Sequence, residues 1–432
     1  MNSLIDWLFT KTPFYFMTQS FWRDEAFSYL MAKMPLVEMA KTTARDFNPP
    51  FYYALLHGWI NIFGASEVAI RSMSLVFFAV SIFVFLMLLI DVLKIPERKA
   101  WIYVLLYGLN PFMLYYGIEG RMYSLFALLS LSSYYLLMTR RWKWYAVCVF
   151  LGMYTHYFFM FVLGTQVLYV VLYERNTLFR LLKTLTLPVV AFLPWLYYIL
   201  PTMTTKTNDF WTEPLSFSES INTLGILFTG YEMVWQFYNK HILYVSVAIV
   251  AILVYFFMRK VRKDNVLSLL LMWAFGAYFS IAIISFVKPI FVPRYLIFAV
   301  PGFLALLAYI MEHVSPRAKV VIAAVLLVMT LHYSYKSSIY KHKGDARKTM
   351  HEIHTISDSN DVIYVTDPAL YFTAAYYAQG KEVYIYQPPE KLPYYIGLAI
   401  VPENAYADLL PSYPKKAFIL KNDYEYDIIS SQ

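Results

Sequence analysis

The sequence has few charged residues, few glycines and a single cysteine. Only 15% of its 432 residues are Asp, Glu, Lys or Arg, whereas 59% are apolar or aromatic. Soluble domains average about 25% charged residues. So little charge cannot cover the surfaces of the roughly three soluble domains that this length would otherwise suggest. The composition therefore excludes a string of soluble domains and indicates a multi-pass membrane protein.

The 14 glycines and the lone Cys148 exclude further classes of protein. Neither GxGxxG nor GxxxxGK[ST] occurs, which argues against a cytosolic nucleotide-binding fold. Cys148 lies within an apolar run, so the chain has neither a disulfide framework nor a thiolate metal site. Aromatic residues are abundant instead, at 19% of the chain, which is typical of a wide aromatic belt at the membrane interface.

Apolar runs of the roughly 17–25 residues needed to cross a bilayer recur along the chain. The run 144–173 is too long for one span and is interrupted at Thr155-His156, so we predict two short helices that meet near His156. With these two, the sequence predicts an all-α architecture of about ten transmembrane helices. The other predicted spans are 73–93, 100–118, 123–139, 178–200, 241–258, 265–287, 294–312 and 317–335.

Basic residues predict the orientation of these spans, because cytoplasmic loops are enriched in Lys and Arg. Five alternate connections hold 15 basic residues, and the intervening short connections hold only five. The net charge of +8 therefore reflects membrane topology, and we expect no nucleic-acid partner. In a plasma membrane this orientation places residues 21–72, His156 and everything after 336 on the extracytoplasmic side. The five basic residues in the intervening short connections are Arg121, Lys206, Lys240, Lys288 and Arg294.

Residues 336–432 have a different composition and predict a small α/β domain on the outer face. We therefore divide the chain into an N-terminal segment with the first outer loop (1–72), a transmembrane domain (73–335) and this C-terminal domain (336–432). The predicted elements of the last are an amphipathic helix over Asp345–Ser357, strands at Asp361–Thr366, Glu382–Tyr386 and Ala417–Leu420, and a helix around Ala369–Ala378.

The first outer loop contains the adjacent acids Asp24 and Glu25 just ahead of an amphipathic helix. Helix-start acids are common as N-caps and first-turn residues, so this is one interpretation of the pair. Asn48-Pro49-Pro50 predicts either a simple turn or an extended stretch before the next helix. Helices lying in the interface with acids at their starts would form the floor of an active site.

These residues belong to a series of short motifs, in order over residues 21–310, that resembles the GT-C membrane glycosyltransferases. The resemblance is to bacterial relatives of the dolichyl-phosphate-mannose–protein mannosyltransferases and of the lipid A aminoarabinose transferase. The C-terminal domain matches only in general layout. The matching segments are Trp22-Arg23-Asp24-Glu25, Asn48-Pro49-Pro50-Phe51-Tyr52-Tyr53, Phe63–Arg71, Tyr116–Tyr123, Tyr154–Phe158 and Pro293-Arg294-Tyr295 leading to Pro301.

The resemblance implies transfer of a sugar from a polyprenyl-phosphate carrier to an acceptor hydroxyl, with inversion at the anomeric carbon, on the outer face. The acceptor would be a glycan, a lipid or a protein. Asp24 matches the aspartate of the family's loop and is expected to be the catalytic base. Glu25 matches the following acid and is expected to bind a metal or to orient the acceptor. Dependence on a divalent cation such as Mg²⁺ or Mn²⁺ stays open.

Cations on the outer face would bind the carrier phosphate and stabilise its departing charge. Arg121 and Arg294 match the family's arginines, and Lys288 lies in the same turn as Arg294. Without the resemblance, each arginine is an ordinary snorkelling residue at the interface. Supporting roles are implied for Asn48, Glu119, His156 and Tyr295.

Several of these assignments have alternatives. Glu119 pairs structurally with Arg121 or supplies a second acid, and His156 is a packing residue, a polar site residue or a metal ligand. Asn48 stands where relatives often carry His or Lys, and Arg71 is expected to be a snorkelling anchor at the start of a span. His351-Glu352-x-His354 lacks the HExxH spacing of zincins, so metal binding there is not expected.

The chain also departs from the family at its start, where relatives usually have a complete span before the acidic loop. Only about 20 residues precede Trp22 here, and polar residues interrupt them. They predict either a segment in the outer interface or a truncated start. Two other functions compete with the glycosyltransferase: a transporter or flippase of lipid-linked sugars, and a non-catalytic membrane assembly protein. The transporter is disfavoured because the charges cluster at span ends and no internal repeat is visible.

Overall fold

The computed structural model describes residues 2–206, 212, 214–230, 241–242, 244–248, 251, 265–389, 392 and 396–430. These residues are mostly helical, with one small sheet near the C-terminus. They form two compact units. The first unit comprises Met1–Phe16, Ser74–Tyr198 and Thr212–Tyr340, and the second comprises Met17–Met73, Ile199–Trp211 and Lys341–Gln432.

Among the described residues, four helices are long and apolar enough to cross a membrane: Glu67–Val92, Arg175–Met203, Asn265–Ser285 and Pro316–Tyr340. These lengths agree with a membrane protein, while the total of about ten spans stays a prediction. In chain order the helices are α1 (Asn2–Lys11), α2 (Tyr15–Thr18), α3 (Arg23–Lys33), α4 (Leu36–Arg45), α5 (Phe51–Phe63), α6 (Glu67–Val92, π-helical from Leu88), α7 (Glu97–Gly108), α8 (Pro111–Ile118), α9 (Tyr123–Met138), α10 (Trp142–Met153), α11 (Phe159–Tyr173), α12 (Arg175–Lys206), α13 (Phe217–Thr229), α14 (Asn265–Ser285, π-helical over Met272–Gly276), α15 (Ala299–Glu312), α16 (Pro316–Tyr340), α17 (Ala346–Ile356) and α18 (Tyr371–Tyr377).

The structure divides one predicted span and confirms the division of another. The run 100–118 is not a single helix, because it breaks at Asn110-Pro111 into α7 and α8. Pro111 has no N–H to continue a helix and is well placed at a helix start, where the Asn110 side chain accepts from the Met113 N–H at 2.9 Å. The run 144–173 forms two short helices, α10 and α11, as predicted. Most of the predicted span 241–258 lies outside the described residues.

A glycine allows α10 and α11 to turn back on each other. A Cβ atom at Gly152 would overlap with the ring of Phe159, so any larger residue would displace that ring. The turn 154–158 between the two helices holds His156. The small residue thus permits the close approach that forms this turn.

Paired polar side chains join the helices inside the first unit. The Tyr145 hydroxyl donates to Gln166 Oε1 at 2.7 Å, and Gln166 Nε2 donates to Ser133 Oγ at 2.6 Å. The ring of Tyr134 stacks on Trp273 with centroids 4.2 Å apart. These contacts link α9, α10, α11 and α14, and every polar atom named here has a partner, as an apolar surrounding requires.

The second unit contains a five-stranded sheet in the order β3-β2-β1-β4-β5, parallel except for β5 at one edge. Its central strands β1 and β4 are fully buried, which explains their uninterrupted apolar sequence. Strands β1, β2 and β4 and helices α17 and α18 confirm the predicted elements. The two strands that the sequence did not predict are a two-residue strand and a mostly exposed edge strand, and both lack an apolar pattern. The strands are β1 (Val362–Val365), β2 (Val383–Tyr386), β3 (Tyr406–Ala407), β4 (Ala417–Leu420) and β5 (Tyr426–Ile429).

Helix α3, which begins with the acidic pair, packs against α18 of the C-terminal domain inside the second unit. Phe27 meets Phe372 edge-on with ring centroids 5.6 Å apart, and Tyr29 meets Tyr376 in the same way at 5.0 Å. The segments 17–73 and 341–432 therefore share one core, although nearly 270 residues separate them in the sequence.

Candidate active site

Asp24 and Glu25 both lie in the first turn of α3. The N-cap residue is Trp22, whose side chain makes no capping bond, so the capping interpretation of the acidic pair is wrong and the first-turn interpretation is confirmed. Asp24 is 8% exposed. Its Oδ1 accepts from the guanidinium of Arg23 at 3.0 Å, and its carbonyl accepts from the Ser28 hydroxyl.

Glu25 is completely buried and is bound by two cations. Its Oε1 accepts from Arg71 Nε at 2.7 Å and its Oε2 from Arg71 Nη2 at 2.6 Å, which is a bidentate pair. Lys343 of the C-terminal domain donates to the same Oε2 at 2.8 Å. A carboxylate in such a cradle has a fixed orientation.

Arg71 is not the snorkelling anchor that its position at the start of a span predicts. Its side chain is buried and donates to three backbone carbonyls besides Glu25, those of Met17, Gln19 and Ser20. A guanidinium carries five N–H donors in a rigid fork and can satisfy several acceptors at once. Arg71 therefore fixes the chain segment that leads to the acidic pair.

The C-terminal domain also contacts this segment. Gln19 bonds Lys341 and Lys343 through both ends of its side-chain amide, and the Ser20 hydroxyl donates to Asp345 Oδ1 at 2.6 Å. Sequence reasoning missed these partners because no local pattern connects residues more than 300 positions apart.

Tyr377 completes the same network. Its hydroxyl accepts from the Phe21 N–H at 2.9 Å and donates to Glu67 Oε1 at 2.7 Å. Burial, together with the hydrogen bond to Glu67, raises the pKa of Tyr377, so the phenol keeps its proton at neutral pH. It can therefore act as donor and acceptor at once.

Asn48 has a local contact. Its side-chain amide donates to Asp46 Oδ2 at 2.5 Å, and its backbone N–H donates to the Thr43 carbonyl at 2.8 Å. The intervening Phe47 has a φ of 60°. These contacts close the turn after α4 at Asp46-Phe47, directly ahead of Asn48-Pro49-Pro50.

In the first unit, Glu119 and Arg121 occupy the tight turn after α8. Glu119 is the C-cap residue of α8, and its carbonyl accepts from the Arg121 N–H at 2.7 Å. The two residues are 2% and 8% exposed. A snorkelling arginine extends its charge into the solvent, whereas Arg121 is buried.

His156 lies in the turn between α10 and α11 against three aromatic rings. It stacks on Phe126 with centroids 4.6 Å apart and meets Phe158 and Tyr295 edge-on. Its Nδ1 accepts from the Phe158 N–H at 3.1 Å, which assigns the proton of the neutral ring to Nε2. Burial and then the charge of Arg121 lower the pKa of His156 to about 3, so the ring is neutral and Nε2 is a donor.

Arg294 and Tyr295 lie in a short 3₁₀ helix, Pro293–Leu296, and both are half-buried. The guanidinium of Arg294 lies over the Tyr295 ring, 5.7 Å from its centroid. Tyr295 also approaches Tyr123 at 6.4 Å. Contacts among Tyr123, His156 and Tyr295 thus bring together three motifs that are far apart in sequence. Lys288 is exposed in the preceding turn.

Among the described residues, no group of three or more His, Cys, Asp or Glu side chains is arranged to hold a metal ion. In particular, His354 of the His351-Glu352-x-His354 segment bonds through Nε2 to the Tyr377 carbonyl at 2.9 Å.

Comparison with known proteins identifies the fold. No family sequence model matches the chain, and no curated protein matches it by sequence. The crystal structure of ArnT from Cupriavidus metallidurans in the apo state is similar with a TM-score of 0.65 and 14% identity, covering 97% of this chain and 91% of that one. The structure of the same ArnT bound to undecaprenyl phosphate has a TM-score of 0.62 and 13% identity, with the same coverage. The chain has the ArnT fold.

Proposed function

We propose that the protein is a membrane glycosyltransferase that takes a sugar from a polyprenyl-phosphate carrier. The single observation that carries this proposal is the similarity, over nearly the whole chain, to a structure that holds undecaprenyl phosphate. The motifs that resemble GT-C enzymes lie in the same chain. We further propose that transfer takes place on the extracytoplasmic face of a plasma membrane, as the distribution of basic residues predicts.

In the proposed reaction, Asp24 is the catalytic base. It takes the proton of the acceptor hydroxyl while the acceptor oxygen attacks the anomeric carbon of the sugar. The bond between that carbon and the phosphate oxygen breaks, and the polyprenyl phosphate leaves with the electron pair. Attack opposite the leaving group inverts the anomeric configuration. A phosphate leaving group carries its own charge, so the reaction needs no general acid.

Arg121 and Arg294 are the proposed ligands of the donor phosphate, with the exposed Lys288 as a further cation. Their charges would stabilise the phosphate as the glycosidic bond breaks. His156 is neutral and contributes an N–H donor, with Tyr295 holding its ring in place. The burial of Arg121 supports this role, because a desolvated arginine binds phosphate more strongly than one in water.

Glu25 has a different proposed role from Asp24. Both of its oxygens accept hydrogen bonds from Arg71, and one also accepts from Lys343. We therefore assign it as a positioning residue that fixes the first turn of α3, and hence the neighbouring carboxylate of Asp24. Asn48 would act indirectly too, by closing the turn before α5.

The direct test is transfer by the full chain in vesicles that contain undecaprenyl-phosphate-linked sugar labelled in the sugar. Candidate acceptors are a lipid, a glycan and a protein bearing free hydroxyls, with protein-free vesicles as control. We expect the label to appear in one acceptor while undecaprenyl phosphate accumulates in equal amount. Movement of the intact labelled lipid across the bilayer, with no bond cleavage, would instead establish a transporter.

Removing either proposed phosphate ligand should impair transfer strongly. We expect Arg121→Met and Arg294→Met each to lower the transfer rate by about 10²–10³-fold, since each removes a cation from the developing phosphate charge. Both should also weaken the binding of undecaprenyl phosphate, measured by titration in detergent. The matched control is Arg175→Met, which removes an exposed arginine of the same unit and should leave both measurements unchanged. Rates within twofold of the unaltered protein in both variants would refute the assignment.

A further inference from the structure

The C-terminal domain contains an open cleft of about 440 Å³ that the proposed reaction does not use. One side of it is formed by α17 and the residue before this helix, and the other by the end of α18. The side chains that matter here are Asp345, Arg347, Lys348, His351, His354 and Gln379.

The lining of this cleft is rich in hydrogen-bond donors. Arg347, His351 and His354 follow one another at helical spacing on one face of α17, and Lys348 lies beside them. Arginine and lysine can only donate, and glutamine and histidine offer further N–H groups. The cleft is therefore suited to a ligand with several acceptor oxygens and a negative charge.

The one carboxylate in the cleft is already occupied. Asp345 Oδ1 accepts from the Ser20 hydroxyl at 2.6 Å and from the Lys348 N–H at 3.2 Å, as the N-cap of α17. Lys348 itself reaches an acid only at 3.9 Å, at Glu352, and its side chain is 75% exposed. The His351 ring is also exposed. Lys348 and His351 are therefore the side chains most available to an incoming anion.

Contacts within the second unit relate the cleft to the start of a candidate membrane span. Arg347 Nη1 bonds Glu67 Oε1 at 3.2 Å, and Tyr377, which also lines the cleft, bonds the same oxygen at 2.7 Å. Glu67 is the first residue of α6, a helix long and apolar enough to cross a bilayer. The end of such a helix lies at the level of the lipid headgroups.

Large apolar side chains beside Glu67 are exposed. Ile62, Phe63 and Val68 are 75%, 57% and 45% exposed. Val68 lies in the first turn of α6, and Ile62 and Phe63 are at the end of α5, a few residues before Glu67. Exposed apolar side chains at the level of the membrane interface are suited to contact with acyl chains. A donor-lined cleft near an apolar surface matches a molecule with an anionic head and an apolar tail.

We propose that this cleft binds the phosphate of an anionic phospholipid and so ties the C-terminal domain to the membrane surface. The site goes beyond the proposed transfer reaction and uses none of its residues. Lys348 and His351 contact the phosphate oxygens, and Arg347 supplies the N–H groups that its bonds to Glu67 and the Thr18 carbonyl leave over. Phosphate oxygens are the shared chemistry of a lipid headgroup and of free phosphate, and the test separates the two.

The test measures lipid binding by the full chain in neutral detergent, with native mass spectrometry after titration with phosphatidylglycerol or phosphatidylcholine. We expect the unaltered protein to retain one phosphatidylglycerol at least about tenfold more tightly than phosphatidylcholine. The variant Lys348→Gln/His351→Gln should lose that difference. Both positions are exposed, so the variant should unfold at the same temperature as the unaltered protein.

Two controls make the result specific. Lys421→Gln removes another exposed lysine of the same domain, which pairs with Asp427, and should keep the preference for phosphatidylglycerol. Millimolar inorganic phosphate should fail to displace the lipid. Retention of the preference in the double variant, its loss in Lys421→Gln, or displacement by phosphate alone would each overturn the proposal. Because the readout is binding, these outcomes do not depend on whether the protein transfers a sugar.

Discussion

Replacing Asp24 with asparagine should lower sugar transfer by about 10²–10⁴-fold, the usual contribution of a general base. Asparagine has the same shape but cannot take the proton of the acceptor hydroxyl at neutral pH. The asparagine side-chain oxygen can still accept the hydrogen bond from Arg23, so the change should cost little stability. We therefore expect a fall in kcat with nearly unchanged KM for the donor and an unchanged unfolding temperature.

The matched control for this change is Glu38→Gln. It makes the same acid-to-amide replacement at an exposed position of the neighbouring helix α4 and should leave transfer intact. The measurement is the initial rate of label transfer in reconstituted vesicles, normalised to the amount of folded protein. Undiminished transfer by Asp24→Asn would remove Asp24 as the base while leaving the transferase proposal open.

The second large effect should be on folding, at the buried pair of Glu25 and Arg71. Removing one partner leaves the other charge buried without its bidentate contact, which typically costs about 3–5 kcal/mol. This cost is a large part of a domain's free energy of unfolding, which is about 5–15 kcal/mol. Arg71→Met should destabilise the protein more than Glu25→Gln, because Arg71 also binds three backbone carbonyls. Lys343→Met should cost less, since Arg71 still binds Glu25.

This prediction is tested by thermal unfolding in detergent, with the protease resistance of the first outer loop (residues 21–72) as the probe. The double variant Glu25→Gln/Arg71→Met should be less destabilised than the sum of its single variants, because neither charge is then left alone. The contrast is Lys421→Met, which breaks an exposed pair with Asp427 and should leave the unfolding temperature nearly unchanged. Equal destabilisation by Arg71→Met and Lys421→Met would show that the buried pair contributes no more to stability than an exposed pair.

Asp24 and Glu25 are adjacent acids, and the local sequence pattern alone does not distinguish them; their different expected roles came from the family resemblance. Asp24 and Glu25 are consecutive residues in the first turn of a helix, so their side chains point about 100° apart around its axis. The two side chains therefore meet different surroundings when the helix packs. Glu25 is completely buried between Arg71 and Lys343, whereas Asp24 is 8% exposed and contacts Arg23.

Much of the architecture could be predicted because its determinants are local. Thr155-His156 interrupts an apolar run, and the chain breaks there into α10 and α11. The apolar runs Val362–Val365 and Ala417–Leu420 form strands in the centre of the sheet. The break at Asn110-Pro111 was equally local but was missed, because the apolar length of 100–118 outweighed one proline in the prediction.

The sequence by itself determined the class of protein and singled out the side chains that we propose to be reactive. Few charges and long apolar runs indicate a membrane protein, because each span must form its backbone hydrogen bonds internally and keep charged side chains out of the bilayer. The motifs around Asp24, Arg121, His156 and Arg294 indicate the chemistry. None of these inferences requires knowledge of which residues are in contact in the folded protein.

Only the tertiary structure decided the partners of these side chains. Glu25 binds Arg71, 46 positions away, and Lys343, 318 positions away. A charge can be buried only where the fold brings its counter-charge, and the free energy of that pairing depends on packing rather than on sequence spacing. The same holds for His156, whose neutral state follows from the rings and the arginine that surround it.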